Sequence, residues 1–272
     1  MWIFCCGMQR SGSTLQFQIA ADLVENAGLG KRVEWIKSDE FPEIREKHAE
    51  YTKWKVFKNH VLTDEMRTEF DCRHAMGVYV FRDLRDVIVS AMKKYSMSFN
   101  ELWDSDFLGE CLTQFDRWTS LPSVLVSKYE DVVVDLPAEV ERIAFHLGIK
   151  PEADELRRIA AEYAMEKQKQ RIQQARQRGG LKQGVADGSQ YDPYSNLHSN
   201  HIQSGAIDEW KNHLSLHQVA LIEDRARDWL VAHGYTLSST ASQRQWHRLW
   251  DKISPRSQLR RLFAGIRKSG SQ

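Results

Sequence analysis

The stretch WIFCCGMQRSGST, residues 2–14, decides the fold of this 272-residue chain. It begins with bulky, β-prone residues over Trp2–Cys6, stops at Gly7, and passes through Gly12 into a helical pattern over Thr14–Ala27. A strand, a glycine-containing loop and a helix start direct several backbone N–H groups at one point, and the helix dipole adds positive potential there. The stretch therefore predicts a phosphate-binding turn; the alternative is an ordinary strand-to-helix turn capped by a serine.

The loop departs from a nucleotide-kinase P-loop at one position. Its glycines have the G-x-x-x-x-G separation of a P-loop, but Ser13 stands where a kinase has the lysine that reaches the terminal phosphates. Arg10 is the cation within the loop. We expect a phosphate site in which Arg10 supplies the positive charge, and this argues against a P-loop kinase.

Apolar runs and helical patterns alternate through the first half of the chain. Further strands are predicted at Trp54–Phe57, Val78–Phe81 and Val124–Val126, and further helices at Asp86–Tyr95 and Val132–Leu147. This alternation predicts right-handed βαβ units in a single α/β domain, with helices flanking a central parallel sheet. Ligands of such sheets bind at the carboxyl ends of the strands.

The second half of the chain is more helical. It predicts one long polar helix over Glu152–Arg178 and an amphipathic helix over Ser215–His233. Between them, residues 179–200 are rich in Gly, Ser, Gln and Asn and contain Tyr191 and Tyr194. A loop of this length predicts a lid over the acceptor pocket, and the alternative is plain surface disorder.

Composition excludes several classes of protein. With 38 Lys+Arg against 37 Asp+Glu, the net charge of +1 does not support nucleic-acid binding by bulk charge. A hydrophobic content of 42% excludes a disordered chain. The four cysteines lack zinc-site spacing, and no apolar run reaches membrane length. We expect a soluble protein of the reducing cytoplasm without a metal.

An arginine and a serine frame the turn that follows the predicted strand Val78–Phe81. Arg82 lies where the strand ends, and Ser90 lies on the helix that follows, which Asp83 or Asp86 is expected to cap. A guanidinium and a hydroxyl at these positions suit a second phosphate group. The alternatives are a salt bridge for Arg82 and a small residue at a helix–sheet contact for Ser90.

Five motifs in order over residues 2–214 resemble those of PAPS-dependent sulfotransferases, where PAPS is 3′-phosphoadenosine 5′-phosphosulfate. They are Arg10-Ser11-Gly12-Ser13-Thr14, Lys58-Asn59-His60, Arg82 to Ser90 with Asp86 between them, Tyr129-Glu130-Asp131, and Gly205 followed by Asp208-Glu209-Trp210-Lys211-Asn212. The resemblance implies a single α/β domain close to the nucleotide-kinase type.

The resemblance also implies roles for individual residues. His60 is the expected general base, Lys58 contacts the transferring sulfuryl group or the bridging oxygen, and Arg10 neutralises the 5′-phosphate. PAPS would be the co-substrate, PAP the product, and no metal is required. The residues expected to bind the cofactor are Arg10, Ser11, Gly12, Ser13, Thr14, Arg82, Ser90, Tyr129, Ser204 and Gly205.

Two positions depart from the family pattern. Leu15 stands where family members often carry an aromatic residue that stacks on adenine, which leaves Tyr129 as the aromatic candidate. Gln203-Ser204-Gly205 replaces a common Arg-Lys-Gly, so the arginine that meets the 3′-phosphate is missing, and His201 is a candidate substitute.

The predicted reaction is sulfuryl transfer from PAPS to a hydroxyl or amine of a small-molecule, glycan or lipid acceptor. A small-molecule or nucleotide kinase and a non-catalytic nucleotide-binding protein are the alternatives. The sulfotransferase domain is predicted over residues 1–234, followed by a basic tail over residues 235–272.

The tail carries six Arg and two Lys against one Asp, a net charge of +7. It predicts terminal helices packed on the domain, with weak contact to an anionic membrane surface or contact to an acidic acceptor as the alternatives.

Overall fold

The computed structural model describes residues 1–33, 37–178, 181–183, 190–192, 197–198 and 205–253. The chain divides into two compact units. The first comprises Met1–Arg82 with Ser90–Ile207, and the second comprises Asp83–Val89 with the chain from Asp208 onward. The domain boundary predicted at residue 234 stays a prediction.

Five parallel strands form the sheet of the first unit. They are β1 (Trp2–Cys5), β2 (Gly30–Arg32), β3 (Trp54–Lys58), β4 (Ala75–Phe81) and β5 (Val124–Lys128), in the order β2-β3-β1-β4-β5. The predicted α/β architecture with a central parallel sheet is confirmed. Sequence reasoning missed β2, because this three-residue edge strand, Gly-Lys-Arg, has no apolar run.

Helices connect the strands and form most of the remaining described chain. Those before the small sheet described below are α1 (Ser13–Asn26), α2 (Phe41–Lys47), α3 (Asp64–Asp71), α4 (Leu84–Tyr95), α5 (Phe99–Asp104), α6 (Phe107–Thr119), α7 (Tyr129–Val134), α8 (Leu136–His146), α9 (Ala153–Tyr163) and α10 (Met165–Arg178). Helix α4 begins in the second unit and ends in the first. The second unit also contains α11 (Trp210–His213), α12 (Leu216–Arg225), α13 (Arg227–Ala232) and α14 (Ala241–Ile253).

Three predictions of a single helix are wrong, because each segment forms two. The segment 132–147 breaks where the Asp135 side chain accepts the Ala138 N–H and caps a new helix with proline in its first turn. The segment 152–178 breaks at Ala164, whose ψ of 146° is extended. The segment 215–233 breaks at Ala226. Neither of the last two breaks contains Gly or Pro, so nothing local in the sequence marks them.

Apolar side chains cover both faces of the sheet, as a parallel sheet requires. Ile3 of β1 packs with Phe17 and Ile19 of α1 on one side. On the other side Phe4 lies within 5.5 Å of the ring centroids of Phe41 and Phe70. Because β1 is buried on both faces, its position in the centre of the sheet is stable, and this fixes the loop that follows it.

A small antiparallel sheet lies within the loop predicted over residues 179–200. Its strands are β6 (Lys182–Gln183), β7 (Gln190–Asp192) and β8 (Leu197–His198), in that order. Tyr191 belongs to β7, whereas Tyr194 lies outside the described residues. The role of this loop as a lid stays a prediction. Across the described ranges, no helix combines the length and the apolar character that a membrane span needs.

Candidate active site

Four neighbouring strands bring the predicted site residues to one edge of the sheet. Strands β3, β1, β4 and β5 are adjacent and parallel, so their carboxyl ends open on the same side. Lys58 ends β3, Arg82 follows β4, and Tyr129 follows β5. The loop from Cys6 to Gly12 follows β1. The site is therefore assembled from residues that are far apart in the sequence.

The first loop presents free N–H groups at the start of α1. Gly12 precedes the helix with a φ of 94°, a left-handed conformation that favours glycine. In the described part of the chain, the N–H groups of Ser13 and Thr14 have no acceptor, as expected for the first turn of a helix. A Cβ on Gly7 would lie 2.5 Å from Val80 Cγ1, so the loop also needs glycine there for its close approach to β4. The geometry suits the binding of an anion.

The Ser11 side chain contacts the protein backbone around the loop. Its hydroxyl lies within hydrogen-bond distance of the carbonyl oxygens of Met8 and Val80, and the residue is fully buried. The side chain therefore fastens the loop to the end of β4. Of the serines expected to bind the cofactor, Ser11 contributes through the shape of the loop rather than through an exposed hydroxyl.

Arg10 connects the two predicted phosphate sites. It adopts a left-handed φ of 65°, uncommon for a residue other than glycine, and its Nε donates to Ser90 Oγ at 3.1 Å. The first loop and helix α4 are thus joined by the arginine of one motif and the serine of the other. This contact makes the two predicted sites contiguous.

Arg82, Tyr129 and the chain after residue 204 form the other end of the site. The guanidinium of Arg82 lies 4.5 Å from the centroid of the Tyr129 ring, and Arg82 Nη2 donates to the Ala206 carbonyl at 2.6 Å. The Tyr129 hydroxyl donates to the Gly205 carbonyl at 3.0 Å. Tyr129 is only 7% exposed, so it positions Arg82 and offers little surface for adenine. The predicted contacts of His201, Gln203 and Ser204 lie outside the described residues.

His60 and Lys58 form a polar pair beside the first loop. His60 Nδ1 lies 2.7 Å from the Gly7 carbonyl oxygen, so the neutral ring carries its proton on Nδ1 and donates it there. His60 Nε2 then keeps its lone pair, which accepts from Lys58 Nζ at 3.4 Å. The backbone of the first loop thus selects the tautomer of the predicted base.

Burial and neighbouring positive charge lower the pKa of both His60 and Lys58. Burial and the Lys58 cation lower the pKa of His60 to about 3. Burial and the Arg10 cation lower the pKa of Lys58 to about 8. In the described residues no carboxylate lies within salt-bridge distance of Lys58 Nζ. The pair therefore lies in a positive field.

Helix α6 supports His60 from behind. Trp118 Nε1 donates to the His60 carbonyl at 3.1 Å, and Gln114 Oε1 accepts the Leu62 N–H at 2.9 Å. Trp118 is fully buried. Sequence reasoning missed both residues, because at a spacing of four on an amphipathic helix they resemble ordinary core positions.

His60 also lines a cleft with a volume of about 510 Å³. The wall of the cleft includes Gln9, Lys37, Ser38, Asp39, Asn59, Val61, Thr63 and Tyr95. Gln9 and Tyr95 are joined by a hydrogen bond of 3.1 Å. Pockets of about 300–1,000 Å³ commonly bind small molecules. The candidate base therefore faces a space suited to a second substrate.

The family profile described as Sulfotransferase domain matches residues 2–234 of this chain. The chain is a member of the sulfotransferase family. A search of curated protein sequences finds no match.

Solved structures of low identity share the fold of this sulfotransferase. Retinol dehydratase with androsterone and the inactive cofactor PAP has a TM-score of 0.59 and 20% identity, over 88% of this chain and 82% of that chain. Retinol dehydratase with retinol and PAP has a TM-score of 0.58 and 18% identity, over 88% of this chain and 83% of that chain. Mouse sulfotransferase SULT7A1 with PAP has a TM-score of 0.59 and 15% identity, over 92% of this chain and 88% of that chain.

The sulfotransferase uses the acidic residues of its third motif, Arg82 to Ser90, for structure. Asp83 Oδ1 accepts the Arg85 N–H at 2.9 Å at the start of α4, as one of the two expected caps. Asp86 is buried and accepts the N–H groups of Asp208 and Trp210, both at 2.9 Å. Asp86 of the third motif and Trp210 of the last motif are thus joined by a hydrogen bond within the second unit.

Sequence reasoning also missed a buried ionic network in the second unit. Arg85 donates to Asp83 Oδ2 at 2.7 Å and to Glu223 Oε1 at 2.6 Å. Its guanidinium lies 4.1 Å from the Trp210 ring centroid. The residues that the structure describes contain no group of three His, Cys, Asp or Glu side chains arranged as metal ligands.

Proposed function

We propose that this sulfotransferase moves the sulfuryl group of PAPS to a hydroxyl or amine of an acceptor bound beside His60. The observation that carries the proposal is the hydrogen bond between His60 Nδ1 and the Gly7 carbonyl, which joins a base to the phosphate-binding loop. Because Nδ1 carries the ring proton, the lone pair of Nε2 remains to accept a proton from a substrate. The family to which the chain belongs performs sulfuryl transfer.

The described residues fit a nucleotide with two separate phosphate groups. The N–H groups at the start of α1, together with Arg10, suit the 5′-phosphosulfate. Arg82 and Ser90 suit the 3′-phosphate, and the hydrogen bond from Arg10 to Ser90 shows that residues proposed for the two phosphates are in contact with each other. The retinol dehydratase and mouse sulfotransferase structures contain PAP, which carries both phosphates.

PAPS would supply an activated sulfuryl group, and the residues of this chain position it and manage charge and protons. His60 Nε2 accepts the proton of the attacking hydroxyl or amine. The Lys58 ammonium stabilises the negative charge that develops at the sulfuryl group and its bridging oxygen. Because Lys58 bonds to the same Nε2 in this structure, proton transfer requires Lys58 to donate elsewhere, and an anionic co-substrate offers such an acceptor.

Binding of the anionic co-substrate also makes His60 a stronger base. In the free protein, burial and Lys58 hold the pKa of His60 at about 3, so the imidazole is neutral but weakly basic. A bound anion offsets the Lys58 charge and raises the pKa of His60 toward the working pH. Binding of the co-substrate therefore prepares the base.

We propose a small acceptor, and the cleft beside His60 supports this. Its volume of about 510 Å³ suits a small molecule, and the retinol dehydratase structures contain androsterone or retinol. We also propose a reducing location such as the cytoplasm, because all four cysteines are free thiols and three of them are buried.

The direct experiment supplies PAPS labelled in the sulfuryl group, without Mg²⁺, together with phenols, sterols, sugars and amines. Transfer of label to at least one acceptor class is the expected result. Label that stays on PAPS with every class, while PAP binds tightly, would assign the chain to nucleotide binding without transfer.

A further inference from the structure

Helix α14 turns its aromatic residues away from the protein. Trp246, Leu249 and Trp250 are 64%, 49% and 53% exposed. Their spacing of three and four residues places them on one face of the helix. Three large apolar side chains thus form a continuous exposed stripe, which we call the Trp246 face.

The opposite face of α14 is polar, and this face packs on the second unit. Arg244 is buried and donates to the Ser239 carbonyl. His247 Nδ1 lies 2.9 Å from His217 Nδ1 of α12, and Arg248 pairs with Asp224 of α12 at 3.6 Å. A surface helix normally packs with its apolar stripe inward. In α14 the orientation is reversed, so among the residues that the structure describes nothing covers the Trp246 face.

The positive charge of the C-terminal tail indicates which kind of partner the Trp246 face would bind. The chain from Tyr235 onward has a net charge of +7, and the 19 residues after Ile253 contain no acidic residue. Their cations are Arg256, Arg260, Arg261, Arg267 and Lys268. In the sequence, Leu259, Leu262, Phe263 and Ile266 repeat the same three-and-four spacing of apolar residues. Indole rings beside a cluster of basic residues suit the interface of an anionic lipid bilayer.

We propose that the Trp246 face, together with the basic residues that follow it, docks the protein on an anionic lipid surface. The indole rings enter the headgroup region, and the arginines bind lipid phosphates and carboxylates. A second copy of this chain suits the face less well, because it would bring another basic tail against the first. The proposal stands independently of the proposed reaction.

The test is flotation of the full chain with phosphatidylcholine vesicles and with vesicles that also contain phosphatidylserine. We expect binding only to the phosphatidylserine vesicles, and less of it at high salt. The double variant Trp246→Ser/Trp250→Ser should lose this binding. The double variant Arg260→Gln/Arg261→Gln should lower partitioning by about tenfold or more, because each basic residue near the surface contributes separately.

Phe145→Ser is the matched control. Phe145 is 85% exposed and lies on α8 of the first unit, so its substitution removes an exposed aromatic ring and should leave vesicle binding unchanged. Circular dichroism and PAP binding establish that each variant is folded.

Four results would overturn the proposal. The first is absence of binding to phosphatidylserine vesicles by the unmodified chain, and the second is equal binding by the double tryptophan variant. The third is a dimer, seen by light scattering, that the tryptophan substitutions dissociate, because the face would then bind a second copy. The fourth is a large loss of thermal stability in the tryptophan variant, because the face would then be covered within the folded protein.

Discussion

Arg82 and Arg85 lie three residues apart and are both buried beside an aromatic ring, yet they belong to different units of the protein. Arg85 lies 4.1 Å from the Trp210 ring centroid and pairs with Asp83 and Glu223. Arg82 lies 4.5 Å from the Tyr129 ring centroid and donates to a main-chain carbonyl, in the unit that also contains Lys58. The region around Arg85 neutralises its cation within the fold, and we call it the neutralised region. The region around Lys58 concentrates positive charge from Arg10 and Lys94, and we call it the positive region.

The pKa directions of the two regions are opposite. Burial alone would lower the pKa of Arg85, but hydrogen bonds and charge from Asp83 and Glu223 raise it above its usual value. Burial and the neighbouring cations Arg10 and Lys94 lower the pKa of Lys58 to about 8. Removing an acidic partner from a buried cation is strongly destabilising, whereas a buried cation in a positive field is a candidate site for an anion.

The largest expected effect comes from removing the base of the positive region. His60→Ala should lower kcat by about 10²- to 10⁴-fold, because proton removal from the acceptor loses its positioned base. The thermal midpoint and PAP affinity should change little. Steady-state kinetics with labelled PAPS measure the effect, and His74→Ala, on an exposed histidine, is the control. Full activity of His60→Ala would remove His60 from the mechanism.

A substitution in the neutralised region around Arg85 should lower the stability of the fold. Glu223→Ala leaves Arg85 with less compensation and removes the acceptor of Ser238 and Ser239, so it should cost about 3–5 kcal/mol of unfolding free energy. Denaturant unfolding of the second unit measures this cost. Glu166→Ala, which removes an exposed pair with Lys169, should cost under about 1 kcal/mol. Equal costs for the two variants would contradict the difference drawn between buried and exposed pairs.

A smaller effect on kcat is expected from Trp118, which supports the backbone of His60. Trp118→Phe removes the N–H that holds the His60 carbonyl, and kcat should fall about fivefold to tenfold with little change in the KM for PAPS. Trp2→Phe is the control, because Trp2 belongs to the same aromatic cluster without contacting His60. If both variants lower stability and neither lowers kcat, Trp118 has only a packing role.

The smallest effect is a proton taken up on binding. Near pH 8 about half of Lys58 is neutral in the free protein, and a bound anion raises its pKa, so PAP binding should take up about half a proton. Affinity should consequently decrease as the pH rises above 8. Calorimetry in buffers of different ionisation enthalpy measures the uptake. Lys58→Arg, which stays charged, should abolish it, and an unchanged uptake in that variant would assign the proton to another group.

The sequence predicted the sheet well because its central strands are continuous apolar runs. Four of the five strands were located, and their carboxyl ends brought Lys58, Arg82 and Tyr129 to one edge. The polar edge strand Gly30–Arg32 and the helix breaks at Ala164 and Ala226 carry no local signal. Tertiary packing decides such features.

The residues that support the site were harder to predict than the site itself. The pairing of Arg85 with Glu223 joins residues 138 apart in sequence. The Ser11 hydroxyl turns to carbonyl oxygens because of the loop geometry, which a motif does not specify. A sequence motif identifies which residue types lie at the strand ends. The further contacts that these residues make depend on how the whole chain folds.

The binding of PAP against AMP tests the central claim most directly, because the two nucleotides differ by the 3′-phosphate. Calorimetry without Mg²⁺ should show PAP binding about tenfold to a hundredfold more tightly, since hydrogen bonds to a charged group contribute about 1.5–3 kcal/mol. Arg82→Gln should bring PAP to the affinity of AMP. Equal affinities of the unmodified protein for PAP and AMP would contradict the assignment of Arg82 and Ser90 to the 3′-phosphate.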